Sequence, residues 1–108
     1  MRAEDLLHTH AVHIQDTALV SLEGELDLAT APLAVHAVTQ ALADHPPHLE
    51  LDVVGLSFCD AAGLRALLAA RRTARLQGTD FRLIGVNPRL QHTITLLRAT
   101  DLLPQTPV

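Results

Sequence analysis

Cys59 and Asp60 stand side by side where an apolar segment gives way to an Arg-rich one, in the stretch FCDAAGL at residues 58–64. A thiol next to a helix N-terminus can become a nucleophile, because a helix end lowers a thiol pKa. Catalysis by such a thiol also needs a positioned base and an oxyanion hole, and no sequence signature of either accompanies it. Packing of Cys59 as a small apolar side chain is the simpler reading. Seven histidines raise a second chemistry, metal binding. His8 and His10 would share one strand face and His13 would point to the other. No Cys-x-x-Cys or His-Glu-x-x-His spacing supports them. A Gly-rich phosphate loop is absent too, so the sequence implies no cofactor.

The segment after Asp60 reads as a helix over about 61–77, ended by Gly78. Asp60 suits its N-cap, where a carboxylate accepting a first-turn N–H is worth roughly 1 kcal/mol. On a wheel of about 100° per residue, Leu64, Leu67, Leu68 and Ala74 cluster, with Gly63 at the margin. Ala62 falls opposite, facing solvent in the first turn, where unpaired N–H groups and the helix dipole favour an anion. Alanine needs no function there, being the best helix former. Gly63 is harder to dismiss, because glycine inside a helix is less favourable than alanine by up to about 1 kcal/mol. It suggests close packing on a strand or close approach by a partner. Arg71 and Arg75 lie in line with the apolar seam, which fits stems covering apolar surface with heads in water. Arg65 and Arg72 lie on a more exposed side and, with Arg75, form a basic face suited to solvent or to an acidic partner.

The elements that must position this helix start can be read in order. Residues 8–15 and 18–23 form a hairpin turning at Asp16-Thr17, with Val12 and Ile14 on one side of the first strand. Gly24-Glu25-Leu26-Asp27 breaks the pattern. Thr30 suits a helix cap, with Pro32 near the first helical position, for a helix over about 31–44. Ala34, Val35, Val38, Ala41 and Leu42 make its apolar stripe, and Pro46-Pro47 prevents continuation. Residues 48–54 alternate as a strand, Leu49, Leu51 and Val53 against Glu50 and Asp52, and 55–59 read as a loop. A strand at 81–86, a turn at Asn87-Pro88 and a helix over about 88–99 striped by Leu90, Ile94 and Leu97 follow, with a possible edge strand near Leu102-Leu103. The β-β-α-β-α-β-α order predicts an α/β fold, a mixed sheet with helices packed mainly on one face.

Size and composition are consistent with one domain over residues 1–108, with 48% apolar and 19% charged residues. Aromatic content is 2%, so the core is aliphatic and base stacking on aromatic rings is nearly closed off. A net charge of −4, with every basic residue an arginine, makes nucleic acid a poor partner. No apolar run approaches bilayer length, and the N-terminus does not read as a secretion signal. A single cysteine fits a reducing compartment, and the cytoplasm is the expected location.

Three stretches, LEGELDLATAP (22–32), LELDVVGLSFCDAAGLRALL (49–68) and GTDFRLIGVNPRLQHTITLLRATDLL (78–103), give the chain its resemblance to the STAS domain of bacterial anti-sigma factor antagonists. The resemblance covers nearly the whole chain in order and spacing. It implies a binding module rather than an enzyme, one that engages an anti-sigma factor with serine-kinase activity and so releases a sigma factor. In that family the kinase phosphorylates a serine just before the motif glycine and a phosphatase reverses it. Added charge of about −1.5 to −2 at that position would oppose docking on an acidic surface. Carried over residue by residue, Asp60 matches the motif aspartate, Gly63 the glycine, and Asp27 the aspartate of the Gly-Glu-Leu-Asp turn. The acceptor position is Ala62, which has no hydroxyl to phosphorylate; Ser57 offers a hydroxyl upstream but off the position. A natural antagonist outside kinase control, a domain serving another assembly, and an engineered Ser→Ala change all fit that alanine. The resemblance implies a partner surface of Asp27, Ser57, Asp60, Ala62, Gly63 and Arg65. A STAS domain in a sensory or lipid-transport complex is the main alternative, and a Cys- or metal-dependent enzyme the minor one.

Overall fold

A computed structural model describes residues 2–103 of the chain. A short turn of helix, α1 (Ala3–Leu6), leads into β1 (Leu7–Ile14), and β2 (Thr17–Leu26) returns antiparallel to it. Next come α2 (Ala31–Leu42), β3 (His48–Cys59), α3 (Ala61–Leu76), β4 (Asp80–Ile84), α4 (Pro88–Leu96) and a 3-10 turn at Thr100–Leu102. The sheet order is β1-β2-β3-β4, with β2, β3 and β4 mutually parallel. Parallel neighbours need crossovers, and α2 and α3 supply them. The result is the mixed α/β sheet expected from the element order.

Alternation puts one sheet face in the core. Val20, Leu22 and Leu26 of β2 and Leu49, Leu51 and Val53 of β3 are fully buried, against Ala34, Val38 and Leu42 of α2 and Leu64 and Leu67 of α3. Leu90 and Ile94 of α4 join the same cluster. The other face stays open. There the register sets His8, His10, Val12 and Ile14 of β1 beside Glu23, Ser21, Leu19 and Thr17 of β2.

Several boundaries differ from the sequence reading. The hairpin turns one residue earlier, at Gln15-Asp16, with Gln15 at φ 56. β2 continues through Gly24-Glu25 to Leu26, and 55–59 is strand rather than loop. The cause is irregular pairing: the β2–β3 register shifts between Ser21 and Glu23 and again between Gly24 and Glu25. Each extra residue in β3 reverses the inside–outside parity, so Leu56 is buried after Val53 and strict alternation is lost. In α2, which ends at Leu42 rather than 44, Ala37 takes the buried place expected for Val35. Val35 is left at an outer lip, 41% exposed. Leu97 leaves its stripe because α4 stops at Leu96 and Arg98 turns with φ 59. Leu102 is buried in a 3-10 turn, not in an edge strand, and residues 104–108 lie outside the described part.

Candidate interaction site

Two helices begin side by side at the C-terminal ends of β2 and β3, where open α/β sheets hold their sites. The first start is a closed loop. Asp27 Oδ1 accepts the N–H groups of Ala29 (2.9 Å) and Thr30 (3.0 Å), and the Asp27 carbonyl accepts Ala31 N–H (2.8 Å). Thr30 Oγ1 in turn accepts Asp27 N–H (2.9 Å) and donates to the Glu25 carbonyl (2.8 Å). The sequence reading expected Thr30 to cap α2, but its side chain makes no such bond; the Asp27 carboxylate instead holds the loop just before the helix, and Thr30, 0% exposed, bolts that loop shut. The reciprocal pair at i and i+3 is capping-box geometry, and the Asp-x-x-Thr spacing at 27–30 was the signal available for it.

The second start is sparser. Asp60 Oδ1 accepts Gly63 N–H at 2.8 Å, the N-cap bond expected from sequence. Asp60 N–H donates to the Leu26 carbonyl at 3.2 Å, which ties this start to the end of β2. Gly63 is buried, and a Cβ there would collide with the Leu26 carbonyl and come within 3.0 Å of Cys59 Sγ. Of the two readings of Gly63, strand packing is the one its surroundings require: only glycine lets α3 rest on the end of β2.

Ala62 and Arg65 lie on the side of α3 that faces α2, along a groove of about 580 Å3 shared with Leu28, Pro32, Val35 and Ala66. Ala62 is half-buried there rather than fully solvent-facing, because a single-helix wheel contains no neighbouring helix. Arg65 is exposed. Ser57 is the extra residue of the second β2–β3 irregularity, and its hydroxyl donates to the Gly24 carbonyl at 3.1 Å. Arg71 is half-buried and Arg75 exposed beside Phe81 of β4, as stems lying over apolar surface require.

Cys59 is half-buried, and its thiol donates to the Asp60 carbonyl at 3.6 Å. Burial, reinforced by the Asp60 carboxylate, pushes its pKa up to about 11. The environment thus keeps the thiol protonated, opposite to what a nucleophile needs. Among the described residues no group of three or more His, Cys, Asp or Glu side chains is placed to hold a metal ion. No described helix is long and apolar enough to cross a membrane.

A family model for the STAS domain matches residues 8–107. The chain belongs to the STAS family. Among curated STAS relatives, the anti-sigma-F factor antagonist RsfB of Mycobacterium tuberculosis is 32% identical over 69 residues, covering 64% of this chain and 57% of RsfB. The chain thus matches a little over half the length of that relative. Among solved structures, an anti-sigma factor antagonist from Mycobacterium paratuberculosis superposes with a TM-score of 0.81 at 28% identity, over 100% of this chain and 92% of the other. The Bacillus cell fate determinant SpoIIAA in its phosphorylated form gives 0.68 at 16% identity, over 93% and 92% of the two chains, which is a likeness of fold. Asp27, Asp60, Ala62 and Gly63, the residues singled out by the sequence resemblance, lie at one end of the sheet, around the Leu26 carbonyl and the first turn of α3. Sequence reasoning missed Leu28 and Val35 on that surface. Exposed apolar residues in a loop and on a helix carry no spacing signal of their own.

Proposed function

We propose that this chain, acting as one STAS unit, is an anti-sigma factor antagonist. It binds an anti-sigma factor of the serine-kinase type in the cytoplasm and thereby frees the sigma factor held by it. The observation that carries this reading is the pair of adjoining helix starts, one led in by the Asp27–Thr30 loop and the other capped by Asp60, with residue 62 in the first turn of α3. The names of RsfB and of the Mycobacterium paratuberculosis antagonist support it, as does the existence of SpoIIAA in unphosphorylated and phosphorylated forms.

In this reading Asp60 and Gly63 position the start of α3, Asp27 holds the adjoining loop, and Ser57 and Arg65 border the contact surface. Ala62 occupies the acceptor position and keeps it uncharged. A phosphoserine there would bring about −1.5 to −2 charge to a surface that must dock. An alanine removes both the kinase's acceptor and the phosphatase's substrate, so the chain stays competent to bind. The role is binding rather than catalysis, in keeping with the protonated Cys59 thiol.

The test is to incubate this chain and an Ala62→Ser variant with candidate kinase-type anti-sigma factors and ATP, reading mass and complex formation. Both forms should bind, and only the serine form should gain phosphate. Failure of both to bind any candidate would move the chain to a different STAS assembly.

A further inference from the structure

The groove between α2 and α3 is not explained by the capping network. It holds about 580 Å3, and its walls are Leu28, Pro32, Val35, Ala62, Arg65 and Ala66. Leu28 is 76% exposed and Val35 41%, both large apolar side chains left in water at the mouth of the same groove. Neither is needed by the core, whose α2 contribution comes from Ala34, Ala37, Val38, Ala41 and Leu42. The lining contains one permanently charged group, Arg65, beside His36 and no carboxylate, in a chain of net charge −4. Among the described residues Arg65 takes part in no ion pair.

We infer that this groove receives an apolar anchor side chain of the anti-sigma factor, flanked by a carboxylate that pairs with Arg65. The inference rests on the antagonist reading and specifies the chemistry of its partner. An apolar side chain is matched to Leu28, Val35 and Ala66, and burying it removes the exposed surface of Leu28 and Val35 from water. The local positive charge selects an acidic flank, even though the chain as a whole is acidic. Ala62 is part of the groove wall, so the small uncharged residue there leaves the anchor's path open. A negatively charged group at 62 would stand against the anchor and compete with the partner's carboxylate for Arg65, which lines the same groove three residues on. The switch position and the apolar contact are then one site, not neighbours.

The experiment measures affinity for the anti-sigma factor bound by the unaltered chain, using Val35→Glu, Leu28→Asp, Arg65→Glu and Ala62→Asp, with Val54→Glu on the open sheet face as control. Val35, Leu28 and Val54 are exposed, so these changes leave the core intact. Val35→Glu should weaken binding by about tenfold or more, as loss of a central interface anchor does. Leu28→Asp and Arg65→Glu should weaken it less, and Val54→Glu should leave it within about twofold, as a site outside the interface does. If Ala62→Asp loses binding while Val35→Glu and Leu28→Asp keep it, the groove inference is wrong and the antagonist reading survives. If the unaltered chain binds no candidate, both fall. Val35→Glu abolishing self-association by light scattering, or oleate binding by calorimetry, while partner affinity holds, would assign the groove to a second copy or a lipid and overturn the inference.

Discussion

The two helix starts solve the same problem differently. At 27–31 the loop is closed on itself: Asp27 and Thr30 exchange hydrogen bonds, and Thr30 is wholly buried. At 60–63 one carboxylate bond and one backbone bond suffice, and tight contact is made by the absence of a side chain at Gly63. The first start is held by polar satisfaction, the second by shape. The second therefore has polar capacity to spare in its first turn, beside residue 62. Rigidity on one side of the groove and an open helix end on the other are what a surface needs if a single modification is to change its binding.

The largest effect should come from the shape-held start. Gly63→Ala drives a methyl into the Leu26 carbonyl, and overpacking of this kind costs about 2–3 kcal/mol. In a domain of this size that corresponds to a fall in Tm of about 10 °C or more. Thermal unfolding followed by circular dichroism reads it; a change of a degree or two would mean that α3 can slide off the strand.

Next comes the polar bolt. Thr30→Val leaves the Asp27 N–H and the Glu25 carbonyl without their partner in a buried place, at about 2 kcal/mol. Asp60→Ala removes a half-buried cap and should cost about 1 kcal/mol. Urea unfolding should rank the two in that order. The reverse order would mean that the 60–63 start, not the 27–31 loop, is the one held by its hydrogen bonds.

Legibility followed the same division. Regular alternation at 48–53, the N-cap at Asp60 and the crossover order were readable because each follows from a local rule about period or capping. The far ends of β2 and β3 were not, because irregular pairing at Ser21–Glu23 and Gly24–Glu25 reverses the parity on which such reading depends. Val35 was assigned to the core because its hydrophobicity outweighs that of Ala37, whereas helix-to-sheet packing chose the smaller residue. The groove could not be foreseen for a related reason: it is made by two helices distant in sequence, and neither wheel contains the other.

A smaller contrast separates Cys59 from the surface around it. With its pKa raised to about 11 from an ordinary 9.0, the thiol should carry about a hundredfold less thiolate near pH 8 than a free cysteine. Labelling by iodoacetamide should be slow at pH 8 and climb as pH rises toward 11. Fast labelling at neutral pH would reopen the nucleophile reading.

The most direct measurement is release of a sigma factor from its complex with a kinase-type anti-sigma factor. Partner switching predicts stoichiometric release by this chain and by Ala62→Ser without ATP. With ATP, release should persist for this chain and disappear for Ala62→Ser as phosphate is gained. No release by either form at saturating concentration, or undiminished release by fully phosphorylated Ala62→Ser, would contradict the assignment of residue 62 as the switch.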